Sequence, residues 1–138
     1  CCCSLHPLSS LGDAPHQLWL RDPQYKKFLK QHYDNPRTNS KGEYCNTMMK
    51  KRGLTTPNCK ETNSFIHATK TEIQAVCRKG GDLVEGNLRR SKKQLSVTTC
   101  KLSGGSPKPP CNYSENKSSR TVVLGCNKGL PVQFDPRS

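Results

Sequence analysis

Cys59-Lys60-Glu61-Thr62-Asn63-Ser64-Phe65-Ile66-His67 is the stretch from which the rest of the chain can be organised. A lysine directly follows a cysteine. The polar pair Asn63-Ser64 then leads into an apolar, β-branched run along which Phe65 and His67 alternate, as on a strand. Were Cys59 in a disulfide, the backbone at Lys60 would be pinned. Its ammonium would then be a fixed charge, suited to an oxyanion that must be met at a set place. Asn63 and Ser64 each offer a donor and an acceptor with which a flat, hydrogen-bonding ligand could be read. Taken alone, a Cys-Lys turn entering a strand is the plainer reading.

The wider composition supports a stapled fold. The chain has 138 residues, enough for one domain, but only 31% of them are apolar and 6% aromatic, so a large core is not expected. Nine cysteines in a chain this polar indicate disulfides made in an oxidising compartment. Six are spread through the body, at Cys45, Cys59, Cys77, Cys100, Cys111 and Cys126, and spacing alone does not choose among the fifteen pairings that six allow. Zinc-type spacings do not occur, so neither a metal site nor a cofactor is expected. Lys and Arg exceed Asp and Glu by 23 to 10, a net charge of +13. That excess implies a polyanionic partner: nucleic acid, a sulfated glycan or an anionic membrane surface. No apolar run is long enough to cross a bilayer, so the chain reads as soluble.

Residues 1–21 read as an N-terminal extension set apart from a domain over 22–138. Pro7, Gly12, Asp13 and Pro15 break its apolar residues, unlike a complete signal peptide. It is expected to be disordered, whether a precursor remnant, a cloning scar or a misassigned exon. Palmitoylation or a metal are the alternatives for Cys1, Cys2 and Cys3. Asp22-Pro23 then gives an N-cap and a first helical residue. Tyr25, Phe28, Leu29 and His32 follow at helical spacing until Asn35-Pro36 ends the run. A histidine on such a face reads first as a core or rim residue. A second helix spans Tyr44 to Arg52, with Cys45, Met48, Met49 and Arg52 on one face and Gly53 as its stop. A third starts at Thr69, where Glu72 completes a capping box. Past Gly80-Gly81, read as a loop, strands are expected at Leu95 to Leu102, Cys111 to Tyr113, Arg120 to Cys126 and Val132 to Phe134. Asn112-Tyr113-Ser114 and Asn116-Lys117-Ser118 are glycosylation sequons. The result is an α+β domain, three short helices packed on a twisted antiparallel sheet.

In this order the motifs resemble the pancreatic-type ribonuclease (ribonuclease A) family. They are Gln31-His32, Tyr44-Cys45-Asn46-x-Met48-Met49, Cys59-Lys60-x-x-Asn63-x-Phe65, Val97-Thr98-x-Cys100 and Leu130-Pro131-Val132-x-Phe134-Asp135. Gln31-His32-Tyr33-Asp34, Arg52-Gly53-Leu54-Thr55, Gly104-Gly105-Ser106-Pro107 and Pro109-Pro110-Cys111 place the resemblance in the angiogenin branch and its non-mammalian relatives. It implies the pairing Cys45–Cys100, Cys59–Cys111 and Cys77–Cys126. It also implies RNA as partner and metal-free cleavage 3′ to pyrimidines, through a 2′,3′-cyclic phosphate. By position, His32 would be the general base, Lys60 the cation at the phosphorane and Gln31 a contact to the phosphate backbone. Asn63 and Ser64 would face the pyrimidine, Ser64 standing for the family's threonine. Phe134 would flank the base, and Asp135 would orient a second histidine.

That second histidine is not there: the position that supplies the family's general acid reads Gln133. An amide can donate a hydrogen bond to phosphate but cannot surrender a proton near neutral pH. The expectation is an RNA-binding cleft with weak or lost cleavage, in a secreted, monomeric protein. Lys50, Lys51 and Arg52 match a basic run used in angiogenin for nuclear entry. Asn87 and Arg89 match a loop implicated there in binding a cell-surface receptor or heparan-type glycans, although its preceding acidic residue is lost. Pro136 stands where angiogenin has a glutamine that obstructs the pyrimidine pocket, and would leave that pocket open. The alternatives are a working pyrimidine-specific endoribonuclease that tolerates Gln133, and a cationic host-defence protein acting on anionic microbial membranes.

Overall fold

A computed structural model describes residues 22–138. The readings placed on 1–21, Cys1, Cys2 and Cys3 among them, lie outside the described residues. Asp22 opens α1 (Pro23–His32): its carboxylate accepts from the Tyr25 amide at 2.9 Å, and Pro23 sits in the first turn, where no amide partner is needed. Tyr25, Phe28 and His32 face inward. The helix stops at His32, short of the Asn35-Pro36 signal, because Tyr33 turns extended and bridges Ile66. α2 (Tyr44–Lys51) buries Tyr44, Cys45, Met48 and Met49, and Gly53, at φ +73°, supplies the left-handed residue beyond its end. β1 (Thr62–Ile66) comes next, so a strand stands between the second and third helices. α3 (Lys70–Val76) carries the expected capping box. Glu72 N–H donates to the Thr69 hydroxyl at 3.1 Å, and the Glu72 carboxylate accepts from the Thr69 amide at 2.9 Å.

The remaining strands are β2 (Gly81–Glu85), β3 (Leu88–Ser91), β4 (Leu95–Leu102), β5 (Tyr113–Arg120), β6 (Val123–Asn127) and β7 (Leu130–Phe134). They form two antiparallel sheets, β1-β4-β5 and β2-β3-β6-β7. Gly81, expected in a loop, instead opens the β2–β3 hairpin. A Cβ there would lie 1.9 Å from the Val76 carbonyl oxygen, so α3 and β2 meet at this distance only because the residue is glycine. β5 runs well past the expected Tyr113, pairing with β4 from Leu102↔Tyr113 to Leu95↔Arg120. Tyr113 is its one buried residue, so the strand shows no apolar alternation. It exists because β4 supplies the backbone partners.

The disulfides pair as expected. Cys45–Cys100 ties α2 to β4, Cys59–Cys111 ties the entries of β1 and β5 together, and Cys77–Cys126 ties the end of α3 to β6. Two small cores result. One gathers Phe28, Ile66, Ile73, Val76, Val97, Val122 and Leu124; the other gathers Tyr44, Met48, Met49, Leu54 and Phe65 around Cys45–Cys100. Between the two sheets, α1 packs against β1 and β7, and their meeting line opens to solvent.

Candidate active site

That opening is a cleft of about 790 Å³ whose walls include Gln31 and His32 from α1, Lys60 just before β1, Ser64 on β1, and Gln133 and Phe134 from β7. His32 is 7% exposed and lies between the rings of Phe28 and Phe134, with centroids at 5.2 and 5.4 Å. Its Nδ1 is 2.8 Å from the Ser64 carbonyl. A carbonyl only accepts, so Nδ1 carries the hydrogen and Nε2 keeps its lone pair. Burial drives the imidazole pKa down to about 4; the Ser64 carbonyl opposes the fall and the Lys60 ammonium adds to it. At neutral pH this ring can take up a proton but has none to give.

Lys60 is held along its backbone and at its tip. Its amide donates to the Leu54 carbonyl at 2.9 Å, its carbonyl accepts from the Tyr113 hydroxyl at 2.7 Å, and the preceding residue is locked in Cys59–Cys111. Its Nζ donates to the Asn63 side-chain oxygen at 2.9 Å, and burial, followed by the charge of Lys27, lowers its pKa. Asn63 in turn donates from its amide nitrogen to the Gln31 carbonyl at 2.8 Å. Both ends of the Asn63 side chain are thus engaged inside the protein. It braces α1 against Lys60, and it also lines the cleft.

Ser64 is buried and its Oγ lies 3.1 Å from Thr99 Oγ1, where either hydroxyl can donate; Thr99 Oγ1 accepts from Arg120 at 2.7 Å. Gln133 is exposed on β7 opposite Gly125. A Cβ at Gly125 would come within 3.3 Å of the Gln133 side-chain oxygen, so the bare glycine makes room for the amide over β6. Asp135 is buried; its Oδ1 accepts from the Arg137 amide at 2.8 Å and faces the Arg137 Nε at 3.2 Å. Pro136 and Ser138 line the same cleft.

The basic run and the hairpin stand apart from this site. Lys50 and Lys51 are exposed in the last turn of α2. Arg52 turns back onto the end of α1, donating to the Leu29 and Lys30 carbonyls at 3.2 and 2.6 Å. Asn87, in the β2–β3 turn, donates to the Cys126 carbonyl at 3.3 Å, and Arg89 donates to the Gly81 carbonyl at 3.0 Å. Among the described residues no group of three or more His, Cys, Asp and Glu could hold a metal ion. Sequence reasoning missed Gln24, Thr99 and Arg120 as cleft residues, and counted Lys27 only as surface charge. The β4–β5 register sets Arg120 opposite Leu95 and Thr99 opposite Asn116, so the two meet through the reach of the arginine side chain, which no local pattern announces.

The arrangement offers a proton acceptor and a fixed cation in one cleft, with an aromatic wall and a serine–threonine pair beside them. A sequence model of the pancreatic ribonuclease family matches residues 23–135. The chain is 47% identical to a ribonuclease of Chelonia mydas over 116 residues, which cover 83% of this chain and 98% of that one. It is 49% identical to the angiogenin of Equus caballus over 127 residues, covering 91% and 86% of the two. The crystal structure of green turtle egg white ribonuclease superposes with a TM-score of 0.80 at 46% identity, covering 83% of this chain and 98% of that one.

Proposed function

The chain belongs to the pancreatic ribonuclease family, in which it is angiogenin-like, and we propose that it is a secreted protein that holds RNA but cleaves it weakly or not at all. Three disulfides suit an oxidising compartment. The cleft takes a pyrimidine between Phe134 and Ser64 and the adjoining phosphate beside Gln31 and Lys60. His32, neutral above a pKa of about 4 and with Nε2 unprotonated, removes the 2′-hydroxyl proton. The attack of that oxygen on phosphorus builds charge on the phosphorane, and Lys60, steadied by Asn63, faces it.

The departing 5′-oxygen then needs a proton. The observation that carries the proposal is the residue on β7: Gln133, an amide, with His32 the one imidazole among the residues lining the cleft. A missing general acid costs about 10²–10⁴-fold. Asp135, which would orient a second histidine, is occupied with Arg137.

The test is cleavage of a pyrimidine–purine dinucleotide by the purified chain beside Gln133→His. The variant is expected to be at least about 10²-fold faster. Equal rates, with the unaltered chain as fast as a two-histidine relative, would overturn the reading.

A further inference from the structure

Two glycosylation sequons, Asn112-Tyr113-Ser114 and Asn116-Lys117-Ser118, lie at the start and in the middle of β5, and nothing in the chemistry above uses either. The fold treats them differently. In the first, Tyr113 is buried: its amide donates to the Asn46 side-chain oxygen at 2.8 Å and its hydroxyl to the Lys60 carbonyl at 2.7 Å. Cys111, just before it, is tied to Cys59, and Ser114 Oγ donates to the Lys101 carbonyl at 3.3 Å. That sequon is drawn inward. In the second, Asn116 and Lys117 are exposed and Ser118 is half-buried.

The side chains of Asn46, Asn63, Asn87 and Asn127 are spent on hydrogen bonds within the protein. That of Asn116 makes none among the described residues. β5 is an edge strand of β1-β4-β5, so a bulky group on it displaces no neighbouring strand. The register sets Asn116 opposite Thr99 and Thr99 opposite Ser64, which puts all three on one face of the sheet. Thr99 and Ser64 line the cleft. Directly opposed residues have Cβ atoms about 5 Å apart, so whatever Asn116 carries rises at the rim of that cleft.

We propose that Asn116 is an N-glycosylation site, and that its sugar stands at the rim of the cleft and hinders entry of a long RNA strand. This rests on the reading of the protein as secreted, since such sugar is transferred inside the secretory pathway. The donor is a lipid-linked diphospho-oligosaccharide. The Asn116 amide nitrogen bonds to the anomeric carbon of the sugar and loses one proton. The bond from that carbon to the phosphate oxygen breaks, and its electron pair leaves with the lipid diphosphate.

The test is production of the full chain behind a cleavable secretory leader in insect cells. Peptide masses are then read after an amidase that removes N-linked sugar and leaves aspartate in its place. Position 116 is expected to be converted. Asn116→Gln and Ser118→Ala should each abolish the sugar there, while Asn112→Gln leaves it in place. Sugar at Asn112 alone, or at neither asparagine, overturns the inference and leaves the secreted reading standing. Affinity for a single-stranded RNA of a dozen or so nucleotides should be several-fold lower for the glycosylated chain than for Ser118→Ala, which keeps Asn116 without its sugar. The unaltered chain made in bacteria and refolded carries that comparison should Ser118→Ala fold poorly. Equal affinity overturns the placement at the rim. If the chain so directed is retained in the cell, the secreted reading and this inference fall together.

Discussion

At the scale of single residues, His32 governs two pH dependences, one of cleavage and one of stability, and both decline as pH falls. Its lone pair is available above a pKa of about 4, so residual cleavage should rise as pH increases through that value and stay level across neutrality. The alkaline fall belongs to Lys60, whose pKa burial and Lys27 lower from 10.5. Gln133→His should add a falling limb near neutral pH and produce a bell; a bell already present in the unaltered chain would show that another group supplies the proton. Stability follows from the same burial. Above pH 6.5 His32 is neutral both folded and unfolded. As pH falls, the unfolded chain gains its proton first, and the folded chain resists until about 4, so stability is lost across that window. The gap from 6.5 to about 4 corresponds to roughly 3 kcal/mol. His67, lowered chiefly by burial against the pull of Asp34, adds to the loss. Asp34 acts at lower pH: burial raises its pKa, but hydrogen bonds from Thr38 and Tyr44 outweigh this and hold it below 3.8. Urea midpoints measured from pH 7 to 4.5 should therefore fall, and His32→Gln should flatten the slope. An unchanged slope in that variant would assign it to other groups.

At the scale of elements, the covalent ties outweigh any single helix signal. Cys77–Cys126 closes a separation of 49 residues and joins α3 to β6, the strand beside β7. Cys77→Ala with Cys126→Ala should cost about 4 kcal/mol through loop-closure entropy, read as a shift in the urea midpoint. A loss below about 1 kcal/mol would mean that strain or residual structure in the unfolded chain cancels it. Elements whose signals are local were legible in the sequence: Asp22-Pro23 at α1, the Thr69–Glu72 box at α3, and the apolar faces of both. β5 was not, because an edge strand with one buried residue carries no alternation, and its identity lies in the backbone of β4. The β2–β3 hairpin was hidden in the same way behind Gly80-Gly81, since Leu83 and Val84 face solvent. The site divides along the same line. His32, Lys60 and Gln133 were found by residue type and order. The engagement of Asn63 with Gln31, of Asp135 with Arg137 and of Arg120 with Thr99 depends on register and side-chain reach, which no stretch of sequence displays.

At the scale of the whole molecule, the charge of +13 is far larger than the cleft needs. Lys27 and Lys60 are the lysines that line it, while Lys26, Lys30, Lys50 and Lys51 stand exposed on α1 and α2. Salt separates the two groups. Each phosphate neutralised on a single strand adds about −0.7 to the slope of log affinity against log salt, so the two cleft lysines alone would give about −1.4. A slope well beyond that is expected for a single-stranded RNA of a dozen or so nucleotides, because a strand leaving the cleft passes into the field of the outer lysines. Lys50→Gln with Lys51→Gln should make the slope shallower if the strand runs towards α2. It should leave the contacts at the base unchanged, because neither residue lies in the cleft. A slope near −1.4 would mean that RNA ignores most of the surface charge, and a second polyanion would then have to account for it. The cationic host-defence reading supplies one, and it makes the opposite prediction for the cleft. Leakage from anionic vesicles would fall with salt yet survive His32→Ala, since an imidazole buried between two phenyl rings adds nothing to a surface that works by charge.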